Sequence, residues 1–299
     1  MTDFKARMER DIALINSDLE RRMAECAVPS RESEGFALMR EAMEYSLYNG
    51  GKRIRPLLTL AFCDFCGGSR EKAFAPAAGI EMIHTYSLIH DDLPCMDNDD
   101  MRRGKPSSHI RFGYANALLA GDSLLTMAFE TVLTDSENDP AVKAECAAML
   151  SRAAGPSGMI AGQVMDLANE GKQVGVDVLK ATDARKTGEL IRVACEMGCV
   201  VSGAGQQMRE AARLYSEAIG LAFQIVDDIL DVTSSAEVLG KPIGSDDENE
   251  KSTYVSLLGL EESRRYAAEL TRQAKQAVAP FENSEFLIWL ADYLCGRVN

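Results

Sequence analysis

The sequence is poor in aromatics, in histidine and in positive charge. Among 299 residues there is one Trp, there are three His, and Phe, Tyr and Trp together make 6%. No Ser-His-Asp or Cys-His arrangement is present, so a side-chain nucleophile is not the expected chemistry. β-branched residues are few, and no stretch alternates with period two over five residues, which argues against a sheet. There are 32 Lys and Arg against 46 Asp and Glu, a formal charge of −14. A nucleic-acid binder needs a basic face to neutralise phosphates, and docking on anionic lipid needs the same. The deficit does not exclude a small anionic substrate, for which a local cationic cluster or a bound metal suffices. No run approaches the roughly 18 apolar residues of a membrane span. The longest candidate, 57–63, reads as a core helix segment. Residues 1–23 are charged throughout and carry no signal-like apolar region, so a cytoplasmic location is the expectation. The eight cysteines are scattered and read as reduced thiols. Cys63-Asp64-Phe65-Cys66 lacks a second pair or a redox context, and is expected to be core packing.

What is present is helical periodicity. Phe4, Met8, Ile12, Ile15 and Leu19 form one stripe, and Phe36, Met39, Met43 and Leu47 another that Asn49-Gly50-Gly51 stops. A third helix is expected over 54–65, with Pro56 tolerated in its first turn, and Gly67-Gly68 ends it. A fourth covers 70–92. Residues 93–113 read as a loop because of Pro94, Gly104 and Pro106. Further helices are expected at 114–134, 139–168, 176–201, 207–232, 260–279 and 284–296. With 14 Met, many Ala and no linker-like segment, the reading is one all-α domain over 1–299.

Two acidic constellations stand out. The first follows an apolar helical stretch: His90-Asp91-Asp92-Leu93-Pro94-Cys95-Met96-Asp97-Asn98-Asp99-Asp100, then Met101-Arg102-Arg103-Gly104. Pro94 would clash with the His90 carbonyl in a continued helix, so Asp91 and Asp92 emerge at a helix end. Carboxylates crowded there repel each other and oppose the helix dipole, which implies a cation. The alternative is a solvated acidic loop. An EF-hand is excluded because Met101 stands where an Asp or Asn ligand belongs. Oxygen-only ligands point to Mg²⁺ rather than zinc.

The second is Gln224-Ile225-Val226-Asp227-Asp228-Ile229-Leu230-Asp231, inside an otherwise apolar helix. Asp227 and Asp231 are four apart and share a face. Carboxylates are expensive to bury unpaired, so metal, cationic or salt-bridge partners are needed. Two such faces suit a divided Mg²⁺ site that grips one diphosphate from both sides. Cationic pieces accompany them. Lys52 and Arg55 lie at a helix start, where backbone N–H groups also favour anions. Lys186-Thr187-Gly188 and Gly240-Lys241-Pro242 add further donors.

From Gly50-Gly51-Lys52 to Lys251-Ser252-Thr253-Tyr254 the sequence resembles the trans-polyprenyl diphosphate synthases, most of all the bacterial farnesyl diphosphate synthases. The motifs are Asp91-Asp92-Leu93-Pro94-Cys95-Met96-Asp97 and Asp227-Asp228-Ile229-Leu230-Asp231. The resemblance implies an isoprenoid synthase fold, a bundle of ten or more helices around a deep central cavity. It implies a homodimer and three Mg²⁺ ions. Asp91, Asp97, Asp227 and Asp231 would be metal ligands. Asp91, Asp92, Asp97, Arg102, Lys186 and Asp227 would serve catalysis. Lys52, Arg55, His84 and Arg103 would hold isopentenyl diphosphate. Arg102, Lys186, Thr187, Gln224, Lys241 and Lys251 would contact the allylic diphosphate. Gln163 and Asp166 would lie near the reacting carbons, and Tyr86 with Ser87 would set chain length. His90 and His109 read as structural. The implied activity is condensation of isopentenyl diphosphate with dimethylallyl or geranyl diphosphate to farnesyl diphosphate (C15). The stretch 94–98 is also similar to C20 synthases, so geranylgeranyl diphosphate is the alternative. A terpene cyclase has no use for a second diphosphate pocket, and a non-catalytic partner subunit tends to lose one Asp motif. Pro156, Val255 and an end, Arg297-Val298-Asn299, that lacks the terminal basic residue depart from the family pattern.

Overall fold

A computed structural model describes residues 3–26, 34–233 and 252–296. They form the helices α1 (Phe4–Glu25), α2 (Glu34–Tyr48), α3 (Ile54–Phe65), α4 (Glu71–Asp91), α5 (Ser108–Phe112), α6 (Tyr114–Leu133), α7 (Pro140–Ala154), α8 (Met159–Asn169), α9 (Val176–Asp183), α10 (Glu189–Val201), α11 (Gln206–Thr233), α12 (Tyr254–Leu258), α13 (Leu260–Val278) and α14 (Glu285–Cys295). A π turn, Ala184–Gly188, links α9 to α10, and one two-stranded hairpin pairs β1 (Met101–Arg102) with β2 (Lys105–Pro106). The all-α expectation therefore holds. Among the described residues no helix is long and apolar enough to cross a membrane.

The chain divides into two compact units, one of residues up to Leu57 with Phe74–Ala147, the other of Leu58–Ala73 with the chain from Ala148 on. In the first, the Asp3 carboxylate accepts from the Ala6 N–H at 3.0 Å and caps the start of α1. Met8, Ile15, Leu19 and Met23 bury one stripe of that helix. Ala42, Met43 and Leu47 of α2 and Ala117, Ala120, Leu124 and Ala128 of α6 are buried as well, and the small residues let helix backbones approach. In the second unit, Phe62 meets Phe65 and Tyr215 edge-on, at 5.6 and 5.3 Å between ring centres. The Tyr215 hydroxyl, fully buried, donates to the Leu287 carbonyl at 2.9 Å. Nearly all of α10 is buried, and burial of each large aliphatic side chain there contributes roughly 1.5–3 kcal/mol. Cys63 is buried, and the Cys66 and Cys199 sulfurs lie 3.6 Å apart, so the Cys63/Cys66 pair packs as expected.

Three expected elements differ from those observed. The helix expected over 139–168 is broken between α7 and α8: Pro156 disfavours the helical region at Gly155 and supplies no N–H of its own. The helix expected over 176–201 contains the π turn. The loop expected over 93–113 contains the hairpin and α5. Arg103 (φ +53) and Gly104 (φ +74) are both left-handed, the backbone that a two-residue hairpin turn requires.

Candidate active site

In the first unit the site begins where α4 ends. After Asp91 the chain folds back: the Asp97 N–H donates to the Asp91 carbonyl at 2.9 Å, and the Asn98 N–H to the Leu93 carbonyl at 3.2 Å. Left-handed Asn98 (φ +53) and the buried Leu93 hold this turn. Asp97 is exposed and Asp91 half-buried. Their backbones are tied together, so both carboxylates belong to one short loop. Asp92 has a different fate. It is 3% exposed and accepts from the Arg102 guanidinium, with Nε at 2.9 Å and Nη2 also in contact. Burial pushes the Asp92 carboxyl up and Arg102 pulls it back down. Burial likewise works against the Arg102 charge, but Asp92, Asp99 and Asp91 outweigh it and raise its pKa. Asp92 thus anchors the Arg102 guanidinium.

The hairpin carrying Arg102 and Arg103 is docked on the end of α2. The Tyr45 hydroxyl donates to the Pro106 carbonyl at 2.7 Å, and the Asn49 amide to the Arg102 carbonyl at 3.2 Å. Arg103 Nη1 donates to the Gly50 carbonyl at 2.7 Å. Gly51 (φ +114) lies under that guanidinium, and a Cβ there would come within 2.7 Å of it. His84 shows how the cationic residues converge. Burial, and then the positive field of Arg55, Arg103, Arg53 and Arg102, hold its imidazole well below the ordinary histidine range. The ring is neutral at physiological pH. Residues far apart in sequence, from the α2–α3 turn and from the hairpin, therefore act on one imidazole. Of these cations, Arg102 is held by Asp92 and Arg53 pairs with Glu81.

Tyr86, 5% exposed, packs edge-on against His90 at 5.5 Å, and burial pushes its hydroxyl up to about 12. Ser87 Oγ donates to the His84 carbonyl at 2.9 Å. His90 Nε2 lies 3.0 Å from the Leu118 carbonyl, and His109 Nδ1 lies 3.1 Å from Ser107 Oγ. Both rings thus contact groups of the first unit.

In the second unit, Lys186 and Thr187 sit in the π turn, an element that often marks functional positions. Lys186 Nζ donates to the Asp166 carboxylate of α8 at 2.7 Å. Gly162, one turn before Asp166, packs against the backbone of Lys186. Asp183 lies beside this pair. Burial raises its carboxyl to about 6, opposed by the Tyr254 hydroxyl, with Asp166 adding to the rise and Lys186 opposing it. On α11, Asp227 and Gln224 are half-buried and Asp231 is 4% exposed. The Asp228 carboxylate accepts from the Tyr254 N–H at 2.7 Å and so receives the start of α12. Thr253 and Ser256 complete that start with reciprocal side-chain caps. The contact of Asp228 is not legible in the sequence, since its partner Tyr254 is more than twenty residues away. Lys241 and Lys251 lie outside the described residues, as do 297–299.

Among the described residues, no three acidic, His or Cys side chains already converge on one point. The donor set nevertheless fits Mg²⁺. It consists of carboxylate oxygens alone, with Asp91 half-buried at the end of α4, Asp97 exposed just beyond it and Asp92 in contact with Arg102. Magnesium keeps several waters and takes its remaining ligands from one or two carboxylates and a substrate phosphate.

An all-α fold that carries two aspartate-rich motifs is that of a prenyltransferase. The polyprenyl synthetase family profile matches residues 36–284, and the chain belongs to that family. It is 47% identical over 266 residues to a chloroplastic geranylgeranyl pyrophosphate synthase from Capsicum annuum, covering 88% of this chain and 72% of that protein. It is 45% identical over 262 residues to a geranylgeranyl diphosphate synthase from Cyanophora paradoxa, covering 87% of each. Among solved structures, an FPP/GFPP synthase from Zymomonas mobilis superposes with a TM-score of 0.85 at 37% identity, covering 98% of this chain and 99% of that one.

Proposed function

We propose that the protein is a short-chain trans-prenyl diphosphate synthase that condenses isopentenyl diphosphate with dimethylallyl and then geranyl diphosphate, and that its main product is the C15 farnesyl diphosphate. The observation that carries the two-substrate reading is the cationic cluster around His84. It is a second anion pocket in addition to the aspartate-rich motifs, and a cyclase acting on one diphosphate has no need of it. Lys52, Arg55, His84 and Arg103 hold isopentenyl diphosphate, with neutral His84 as a hydrogen-bonding group rather than a cation. Arg102, Lys186, Thr187, Gln224, Lys241 and Lys251 contact the allylic diphosphate. Asp91, Asp97, Asp227 and Asp231 would hold Mg²⁺, which would supply positive charge to offset that growing on the departing diphosphate. Arg102, fixed by Asp92, and Lys186, fixed by Asp166, aim their charges without reorganising during reaction. The allylic C–O bond breaks, and the double bond of isopentenyl diphosphate forms the new C–C bond with the allylic cation. The proton lost from the adduct passes to the released diphosphate. Holding both substrates in one complex supplies much of the acceleration.

Support for C15 comes from Tyr86, a buried ring on α4 one residue more than a helical turn before Asp91. That is about 7.5 Å of axial rise from the metal-binding end. The C20 product is the second reading, favoured by the names of the Capsicum and Cyanophora relatives. A homodimer in the cytoplasm, with three Mg²⁺ ions per active site, is part of the same proposal. The test is mass analysis of products from purified protein supplied with isopentenyl diphosphate, dimethylallyl diphosphate and Mg²⁺. Farnesyl diphosphate as the main product is expected. A C20 main product decides for the second reading. Turnover of an allylic diphosphate without isopentenyl diphosphate would overturn both.

A further inference from the structure

Of the three basic residues at 52, 53 and 55, Arg53 turns inward. It is 4% exposed, beside the exposed Lys52. Its backbone is left-handed (φ +48), a region that L residues rarely adopt. Its guanidinium is spent on the protein itself. Nη1 donates to Glu81 Oε1 at 2.7 Å, Nη2 to the Leu47 carbonyl at 2.6 Å, and Nε to Asn16 Oδ1 at 2.9 Å. Leu47 lies in the last turn of α2, where carbonyls lack intrahelical partners. Glu81 is 2% exposed on α4, one turn before His84. One side chain therefore ties the α2–α3 turn to α1, α2 and α4, all through residues of the first unit.

We propose that the buried Arg53–Glu81 pair is a positioning device for the isopentenyl diphosphate pocket: it fixes the turn that presents Lys52 and Arg55 and sets that turn's height against His84 and Arg103. The inference rests on the reading of that pocket given above. Were Arg53 itself to reach a diphosphate, Glu81 would be left charged and unpaired in the interior, which is strongly unfavourable. The same turn supplies the Gly50 carbonyl that holds Arg103. The contacts run from Glu81 through Arg53 and the turn to Arg103. The Glu81 charge also supports the Arg103 cation, whose pKa burial lowers.

The test uses four variants: Arg53→Lys, Arg53→Met, Glu81→Gln and the double variant Arg53→Met with Glu81→Leu. Each is checked for folding by circular dichroism and thermal melting. The measurements are KM for each substrate, kcat, and calorimetric binding of isopentenyl diphosphate alone, a condition without turnover. Arg53→Met is expected to weaken isopentenyl diphosphate binding by at least about tenfold, with the allylic KM changed less than about twofold. Arg53→Lys and Glu81→Gln should fall between it and the wild type, because each keeps part of the contact. They carry the test if Arg53→Met does not fold. The double variant separates positioning from stability. Replacing a buried ion pair by apolar residues is often neutral for stability, so its melting temperature should recover. Its KM for isopentenyl diphosphate should stay raised, because the turn is no longer held. Recovery of that KM together with the melting temperature would overturn the proposal, as would equal changes in both KM values. Failure of the wild type to bind isopentenyl diphosphate would instead refute the reading of the pocket.

Discussion

Gly162→Ala is the sharpest single test of how Lys186 is placed. In a helix this change ordinarily stabilises by roughly 0.5–1 kcal/mol, because alanine loses less backbone entropy than glycine. Here the geometry reverses the sign. A Cβ on Gly162 would lie 2.2 Å from the Lys186 nitrogen, 2.5 Å from its Cα and 2.8 Å from the Arg185 carbonyl carbon. All three atoms are backbone, so no side chain can swing away. Either α8 or the π turn must move by about an ångström, which for buried contacts costs about 1–3 kcal/mol. For a protein of this size that lowers Tm by roughly 2–5 °C. The Lys186–Asp166 contact, 2.7 Å long, spans the same two elements. Displacing Lys186 by an ångström should cut kcat about 10²-fold. The KM for isopentenyl diphosphate should change little, since its proposed ligands lie on other elements. Scanning calorimetry and a continuous diphosphate-release assay measure the two effects. A raised Tm with unchanged kcat would show that the close approach of α8 to the π turn is not what places Lys186.

Three further outcomes are expected. Asp91→Ala and Asp227→Ala should each slow turnover on the order of 10²-fold or more, with calorimetric binding of isopentenyl diphosphate nearly unchanged; near-normal turnover in Asp227→Ala would remove that residue from the mechanism. Tyr86→Ala should shift the product to C20 or longer while the first condensation continues, and a mutant that still stops at C15 on product mass analysis would end the role of Tyr86 in chain length. Burial raises the Asp183 carboxyl from 3.8 to about 6. The folded protein therefore binds more protons than the unfolded chain between those values. Its stability falls as pH rises through that window, by on the order of 3 kcal/mol from this group. Asp183→Asn should flatten the decline in Tm between pH 4 and 7, and an unchanged slope on calorimetry would show that this carboxyl does not titrate there.

The helices were legible because an apolar residue every three or four positions has one stable arrangement in water, and the chain repeats that pattern nearly throughout. The interruptions were legible only where covalent chemistry forces them. Pro94 ends α4 by steric clash, but the helical periodicity runs on across Pro156, and the break between α7 and α8 there replaces the single helix expected over 139–168. The π turn has no such signature. Ala184 to Gly188 hold no proline, and the wider turn there lies where Gly162 of α8 packs on the Lys186 backbone.

The same distinction governs the site. Clusters of aspartate in apolar surroundings announce themselves, because isolated charges there are too unfavourable to persist without a partner. Which aspartate meets which partner is set by contacts made across the fold. Asp91, Asp92 and Asp97 look alike in the sequence, yet only Asp92 is drawn inward, because the hairpin places Arg102 against it. Asp227 and Asp228 are adjacent, yet Asp228 receives the N–H of Tyr254. Arg53 is the clearest case. In the sequence it is one cation among three at a helix start, and only Lys52 and Arg55 are expected to bind anion. A left-handed φ turns its side chain toward Glu81, and the cation becomes part of the frame that holds the others. That backbone angle is sustained by contacts from Asn16, Leu47 and Glu81, so no local sequence pattern records it.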